Sequence, residues 1–266
     1  DEALLMSLLQ MLPSKIEPIV ISAAPQKTQQ KYNVKTCPRL NVFSLLAALK
    51  ESDIFIWGGG SLIQDTTSLA SPIYYLGLMK LAQMKGLKTI AWGQGIGPLH
   101  YKFTRWITKK TLAKCTAISV RDRKSAKLLS EWDIHHSIAP DPVWALRSKD
   151  ISDFIQTSQP IVAINLRNHP SLTIKKLKTL TNALVDFQKI TNTYILLVPF
   201  QASQDFTIAH HISKKLSKSH EIIQIDDPQR MKGLFKNTNM TIGMRLHCLI
   251  MAASERSRCF ALSYDP

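Results

Sequence analysis

Cysteine is scarce in this chain, and the four that occur, Cys37, Cys115, Cys248 and Cys259, are widely scattered. No pair has zinc-finger or CxxC spacing, so neither a thiolate metal site nor a dithiol redox centre is expected. Three of the four stand in or beside apolar runs, which fits reduced thiols in a cytoplasmic compartment. Long apolar runs are lacking too: none reaches the roughly 20 residues of a bilayer-spanning helix. A signal-peptide pattern is also missing, but the chain opens on Asp1-Glu2 rather than Met, so a longer parent sequence is expected. Acidic residues are few, 19 against 34 Lys and Arg, for a formal charge of +15. That surplus points to anionic partners (polyanion, lipid surface or small molecule) without choosing among them. Clusters such as Lys175, Lys176 and Lys178 fit solvated helix faces.

What is present is enough apolar side chain, 45% of 266 residues, to build two ordinary domains. Short β-branched runs alternate with helical patterns along the whole length. Residues 1–11 read as a helix that starts abruptly, so a preceding strand and loop are expected upstream. Residues 19–23 read as a strand, the polar stretch 27–39 as a connection, 42–50 as a helix and 53–57 as a buried strand. Further strands are expected at 88–92, 117–120, 161–166, 194–198, 221–225 and 258–263, with helices between them. Asp227-Pro228 starts a short helix by its capping chemistry. This alternation predicts an α/β fold with mainly parallel sheets in two halves, residues 1–146 and 147–266. The N-terminal half lacks its expected first strand and the C-terminal half its expected end.

Ligands of such folds bind outside the carboxyl ends of the strands, and that is where the unusual residues fall. Gly58-Gly59-Gly60-Ser61 follows one strand, with Gln64, Asp65 and Ser68 just downstream. The triplet is neither a P-loop nor a GxGxxG fingerprint, yet it could present backbone N–H donors to a ligand. Gly93-Gln94-Gly95 follows another strand, and Arg121, Arg167, Gln201 and Arg245 end others. The segment Ile242 to Ala253 concentrates the signal. After Gly243 a helix begins, with Arg245 and His247 in its first turn, where unpaired N–H groups and the macrodipole favour an anion. Arg supplies a planar charged fork and His a proton exchangeable near neutrality. The same pair equally fits the start of an ordinary buried helix. For Arg121 and Arg167, a salt bridge competes with ligand contact, and Asp141 fits a junction cap.

Several motifs together resemble the polysaccharide pyruvyltransferase family, in particular its CsaB-like branch. They are Asp1-Glu2-Ala3, Gly58 to Ser68 (GGGSLIQDTTS), Gly93 to Pro98 (GQGIGP), Ser119 to Asp122 (SVRD), Asp141-Pro142, Met244 to His247, and Ser263 to Pro266. The resemblance implies a GT-B-like fold, two Rossmann-like domains facing a cleft. It implies transfer of pyruvate from phosphoenolpyruvate to a sugar of a cell-wall or envelope polysaccharide precursor, as a cyclic ketal. His247 is then the general acid and Asp1 the base, with Asp65 a weaker candidate for base. Arg245, Arg121 and Arg167 hold the anion, and Gly59, Gly60, Ser61, Asp65, Gln94 and Gly95 contribute to substrate binding. No cofactor or metal is needed beyond phosphoenolpyruvate as donor. Partners would be that donor, a sugar acceptor that could be lipid-linked, and an anionic membrane touched peripherally at the inner face of the plasma membrane. Nucleic acid is not expected, because aromatic residues are not interleaved along basic strands. The alternatives are a GT-B glycosyltransferase using a nucleotide-sugar donor and a basic binding module.

Overall fold

The computed structural model describes residues 2–66, 68–151 and 155–264. The chain divides into two compact units, Asp1–Pro142 and Val143–Pro266. Among the described residues, no helix is long and apolar enough to cross a membrane.

Unit 1 runs α1 (Glu2–Met11), β1 (Ile19–Ser22), α2 (Pro25–Tyr32), β2 (Lys35–Pro38), α3 (Val42–Glu51), β3 (Ile54–Trp57) and β4 (Gly60–Ile63). It continues with α4 (Ala70–Met84), β5 (Lys88–Ile96), α5 (Lys102–Leu112), β6 (Ala117–Val120), α6 (Arg123–Glu131) and β7 (Ser137–Ile138). β1 and β2 form a parallel pair, and β3-β5-β6-β7 a parallel sheet in which β4 also pairs with β5. Trp57, Ile63, Leu76, Met79, Val120 and Leu129 are among the side chains that fill its core. Side-chain caps set two of the helix starts, Asn41 accepting from Ser44 N and Asp122 from Ser125 N.

The stretch 27–39, expected to be a connection, holds most of α2 and all of β2. Charge hid both elements. Gln and Lys are good helix formers, Pro25 starts the helix, and Asn33 ends it in the left-handed region at φ 51°. β2 then buries Cys37 in register with Ile21.

The glycine triplet also differs from expectation. β3 and β4 lie along the same edge of β5, Trp57 opposite Ala91 and Gly60 opposite Gln94. The triplet is therefore a break within one extended path. Gly59 and Gly60 have φ of +92° and +102°, and a Cβ on Gly59 would stand 3.0 Å from Leu4 of α1. Left-handed backbone and close helix approach are the reasons for glycine here. β5 likewise runs on through Gly93, Gln94 and Gly95 to Ile96 instead of ending at Trp92.

Unit 2 follows a 3-10 turn (Pro142–Ala145) and comprises β8 (Ile161–Asn165), α7 (Ile174–Thr191), β9 (Tyr194–Leu197), α8 (Ala202–Ser213) and β10 (His220–Ile222). α9 (Pro228–Lys236), β11 (Met240–Gly243), α10 (Leu246–Ser254) and β12 (Arg258–Ala261) complete it. Its sheet is wholly parallel in the order β10-β9-β8-β11-β12. Counted within the unit this is 3-2-1-4-5, the Rossmann order, and the direction of winding reverses between β8 and β11. Every residue of β8 is buried, as expected for a central parallel strand covered on both faces. Asp227 caps α9 through Gln229 N and Arg230 N, with Pro228 in the first turn.

The segment after the 3-10 turn is clamped onto α9. Buried Lys232 donates Nζ to the carbonyls of Trp144 and Leu146, at 3.0 and 2.7 Å, and lies 3.9 Å from Glu255. A Cβ on Gly233 would stand 1.7 Å from the Lys149 carbonyl oxygen, whereas one on Gly77 of α4 would meet nothing within 4 Å. Gly233→Ala should therefore cost about 2–3 kcal/mol by overpacking. Gly77→Ala should gain about 0.5–1 kcal/mol from helix propensity. Urea unfolding midpoints check both signs.

Candidate functional site

In unit 2 the carboxyl ends of β8, β9, β11 and β12 carry Arg167, Gln201, Arg245 and Tyr264 respectively, so the reversal of strand order lies between Arg167 and Arg245. Arg245 is the N-cap of α10 and His247 the second residue of that helix. Both stand in or beside its first turn, as the sequence led one to expect, and both are half-buried.

Arg245 is held by a bidentate ion pair: Nε donates to Asp205 Oδ2 at 2.8 Å and Nη2 to Oδ1 at 2.6 Å. Asp205 is buried, and its Oδ2 also accepts from the backbone N–H groups of Phe200 and Gln201. One carboxylate thus caps α8 and orients the arginine. Asn165, fully buried at the end of β8, accepts from Arg245 N through Oδ1 at 3.2 Å and donates Nδ2 to Val198 O at 2.8 Å. It ties the ends of β8, β9 and β11 together at the reversal.

Arg167 is different. Among the described residues it pairs with no carboxylate. Its Nη1 donates to the Tyr264 hydroxyl at 3.0 Å, and the guanidinium carbon lies 4.9 Å from the Tyr264 ring centroid. Its Nε is buried with no hydrogen-bond partner among the described residues. His169 packs beside the same tyrosine, ring centroids 4.8 Å apart, with Nδ1 at 2.8 Å from Ser171 Oγ.

Unit 1 gathers a second group at its strand ends. Arg121, just after β6, pairs through Nη1 with buried Asp141 and donates Nη2 to exposed Ser61 at 2.8 Å. Gly95 lies directly beneath Ser61 and Arg121. Asp141, expected as a cap, is instead the counter-charge of Arg121.

The remaining expected site residues are set apart from open space. Gly59 and Gly60 are buried, with Leu4 over them. Gln94 is fully buried and donates Nε2 to Trp92 O at 3.1 Å. Asp65, expected at the substrate, is buried and accepts from His100 N, Tyr101 N and the Thr104 hydroxyl, fixing the start of α5. Burial pushes its carboxyl up, but the hydrogen bonds from His100, Thr104 and Tyr101 outweigh it and hold the group below the ordinary carboxylate range. A buried acid with three donors serves structure and is a poor base. Asp1 lies outside the described residues. The four cysteines are free thiols; burial pushes Cys248 well up and Cys115 to about 11, so both pack as apolar side chains.

Sequence reasoning gave Asp205 and Asn165 no role. An acid in the first turn after a strand exit, and an amide closing an otherwise apolar strand, were the available signals.

The family model for polysaccharide pyruvyl transferase matches residues 1–266. The chain belongs to the polysaccharide pyruvyl transferase family. Among curated proteins, none matches it significantly. Solved structures with a similar fold include UDP-GlcNAc 2-epimerase from Methanocaldococcus jannaschii, with TM-score 0.64 and 10% identity over 98% of this chain and 79% of that one. MnaA of S. aureus, solved with UDP, gives 0.62 and 13% over 98% and 74%. HepE of Anabaena, solved with UDP and glucose, gives 0.57 and 8% over 98% and 76%. At these identities the likeness establishes the fold, which is of the GT-B type. This transferase family member thus has Rossmann-like units with arginines at their strand ends, two of them already neutralised by aspartates.

Two consequences can be measured. Asp205→Ala strands the Arg245 guanidinium and two backbone donors, and should cost about 3 kcal/mol in urea unfolding. Asp65→Asn should be destabilising near neutral pH, by about 2 kcal/mol. Because the folded Asp65 carboxyl is depressed, its stabilisation is complete above the unfolded value of about 3.9 and is lost as pH falls through the lower folded value. The gap between Asp65→Asn and the parent protein should therefore narrow in strong acid.

Proposed function

We propose that this family member transfers the pyruvyl group of phosphoenolpyruvate to two hydroxyls of one sugar residue, forming a cyclic ketal and releasing phosphate. The observation that carries the reading is Arg167, a guanidinium with no carboxylate among the described residues. It stands at the end of β8, next to the β11 end that carries Arg245 and His247. A donor bearing both carboxylate and phosphate needs such a cation. Arg245, already oriented by Asp205, would turn its remaining N–H edge to the same anion.

In the proposed reaction His247 gives a proton to the methylene carbon, and the C=C electron pair forms the new C–H bond. The adjacent carbon becomes oxocarbenium-like, and a sugar hydroxyl oxygen bonds to it. The C–O bond to phosphate then breaks, and the second hydroxyl closes the ketal. Of the two hydroxyl protons released, one restores His247 and the other leaves with phosphate. Asp1, which the resemblance makes the base, lies outside the described residues and is not needed for this balance. Arg121 and Ser61 form a further anion-binding group in this proposal, with Gly95 beneath them. No cofactor is included. Following the resemblance to the CsaB-like branch, the acceptor is an amino-sugar residue of a cell-wall or envelope polysaccharide precursor, and the setting is cytoplasmic.

The test is phosphate release from phosphoenolpyruvate with and without an amino-sugar acceptor. Release should depend on acceptor and fall about 10²–10⁴-fold in His247→Ala. Arg167→Lys should raise KM for phosphoenolpyruvate more than it lowers kcat, because it removes a planar fork while keeping the charge. No release with any acceptor, together with turnover of a UDP-sugar by the same folded protein, would replace this reading with nucleotide-sugar transfer.

A further inference from the structure

Helix α5 reverses the usual distribution of side chains. Its buried face consists of Thr104, Thr108, Thr111 and Leu112. Phe103 and Trp106, by contrast, are 58% and 57% exposed. At about 100° per residue, Trp106 falls near the middle of the outward face, flanked by Lys102, Lys109 and Lys110, with Phe103 at its edge. The Phe103 and Trp106 rings stack with centroids 6.4 Å apart and planes at 28°. Lys110 Nζ stands 5.7 Å from the Trp106 ring centroid.

Nothing nearby in the sequence offsets the charge: no Asp or Glu occurs between Asp65 and Asp122. Among the described residues, Arg105, on the flank, is the α5 cation with an acid partner, Glu131 at 3.4 Å. Water alone gives no reason to bury threonines and expose a stacked Phe–Trp pair. A surface that is apolar at one depth and anionic at another does. Aromatic rings with polar edges settle at the headgroup level of a bilayer, and lysines around them meet the negative surface potential.

We propose that the outward face of α5, centred on Trp106, docks on an anionic lipid bilayer. Two other occupants fit the chemistry less well. A second copy of this chain would bring the same lysines against one another. Single-stranded nucleic acid is tracked by a basic groove with successive aromatic platforms, whereas here one Phe–Trp pair sits on the convex outer face of a single helix. The inference is independent of the pyruvyl-transfer reading, since its test does not use activity.

The test is co-sedimentation of the whole chain with phosphatidylcholine vesicles, with and without phosphatidylglycerol. Binding should require phosphatidylglycerol and weaken as salt rises. Lys109→Glu with Lys110→Glu should weaken it by about 30-fold or more. Phe103→Gln with Trp106→Gln, which leaves the charge intact, should weaken it by about tenfold or more. Lys175→Glu with Lys176→Glu, the same charge change on α7, should leave it unchanged. Thermal melts show whether each variant is folded. Equal loss in the α7 variant, or full binding by folded α5 variants, would overturn the proposal. So would an α5-dependent dimer without vesicles, or α5-dependent binding of an oligonucleotide in place of lipid.

Discussion

An arginine at the carboxyl end of a buried parallel strand has lost much of its water, so its charge must be answered by a neighbouring acid or by a ligand. In unit 2 Asp205 answers Arg245, and in unit 1 Asp141 answers Arg121. Each pair is mostly buried, where removing one partner is far costlier than the pair's net contribution. Asp205 also satisfies the backbone at the start of α8, so the ion pair, the helix start and the end of β11 form one assembly. Asn165 extends it to β8 and β9. The reversal of strand order is thereby held rigid at the place where open α/β sheets bind their ligands.

Against that background Arg167 stands out because, among the described residues, it has no carboxylate partner and donates instead to the Tyr264 hydroxyl. A tyrosine orients a guanidinium without neutralising it. The difference between Arg245 and Arg167 is thus between a cation positioned by its counter-charge and one positioned by a neutral hydroxyl and ring. Under the proposed pyruvyl transfer, that difference matters because the donor would carry both a carboxylate and a phosphate.

The chain's basic surplus divides in the same manner. Some cations are internal, such as Lys232, which serves two backbone carbonyls and loses basicity through burial. Others, on the outward face of α5, lie beside exposed aromatic rings and face whatever approaches. Net charge counts both alike. Only the first kind contributes to holding the fold together, and only the second can steer association.

Much of the architecture was legible from periodicity and capping. β6 at Ala117–Val120 and the cap of α9 at Asp227 follow directly from local chemistry, and the arginines at strand ends follow from reading each run to its last residue. The elements α2 and β2 were hidden because a Lys- and Gln-rich stretch satisfies helix propensity as readily as it suits a loop. Glycine misled for a related reason. A triplet after a strand can open a ligand loop or let a neighbouring helix approach, and Leu4, more than fifty residues away in sequence, decides for the second. Asp65 looked like a site acid until three donors from the segment 100–104 enclosed it. Local sequence, then, determined most of the strands and helices and that arginines gather at strand ends. Tertiary structure alone decided which arginines have an acid beside them. Pairing across 20 to 40 residues depends on strand order, and strand order emerges only when the sheet forms.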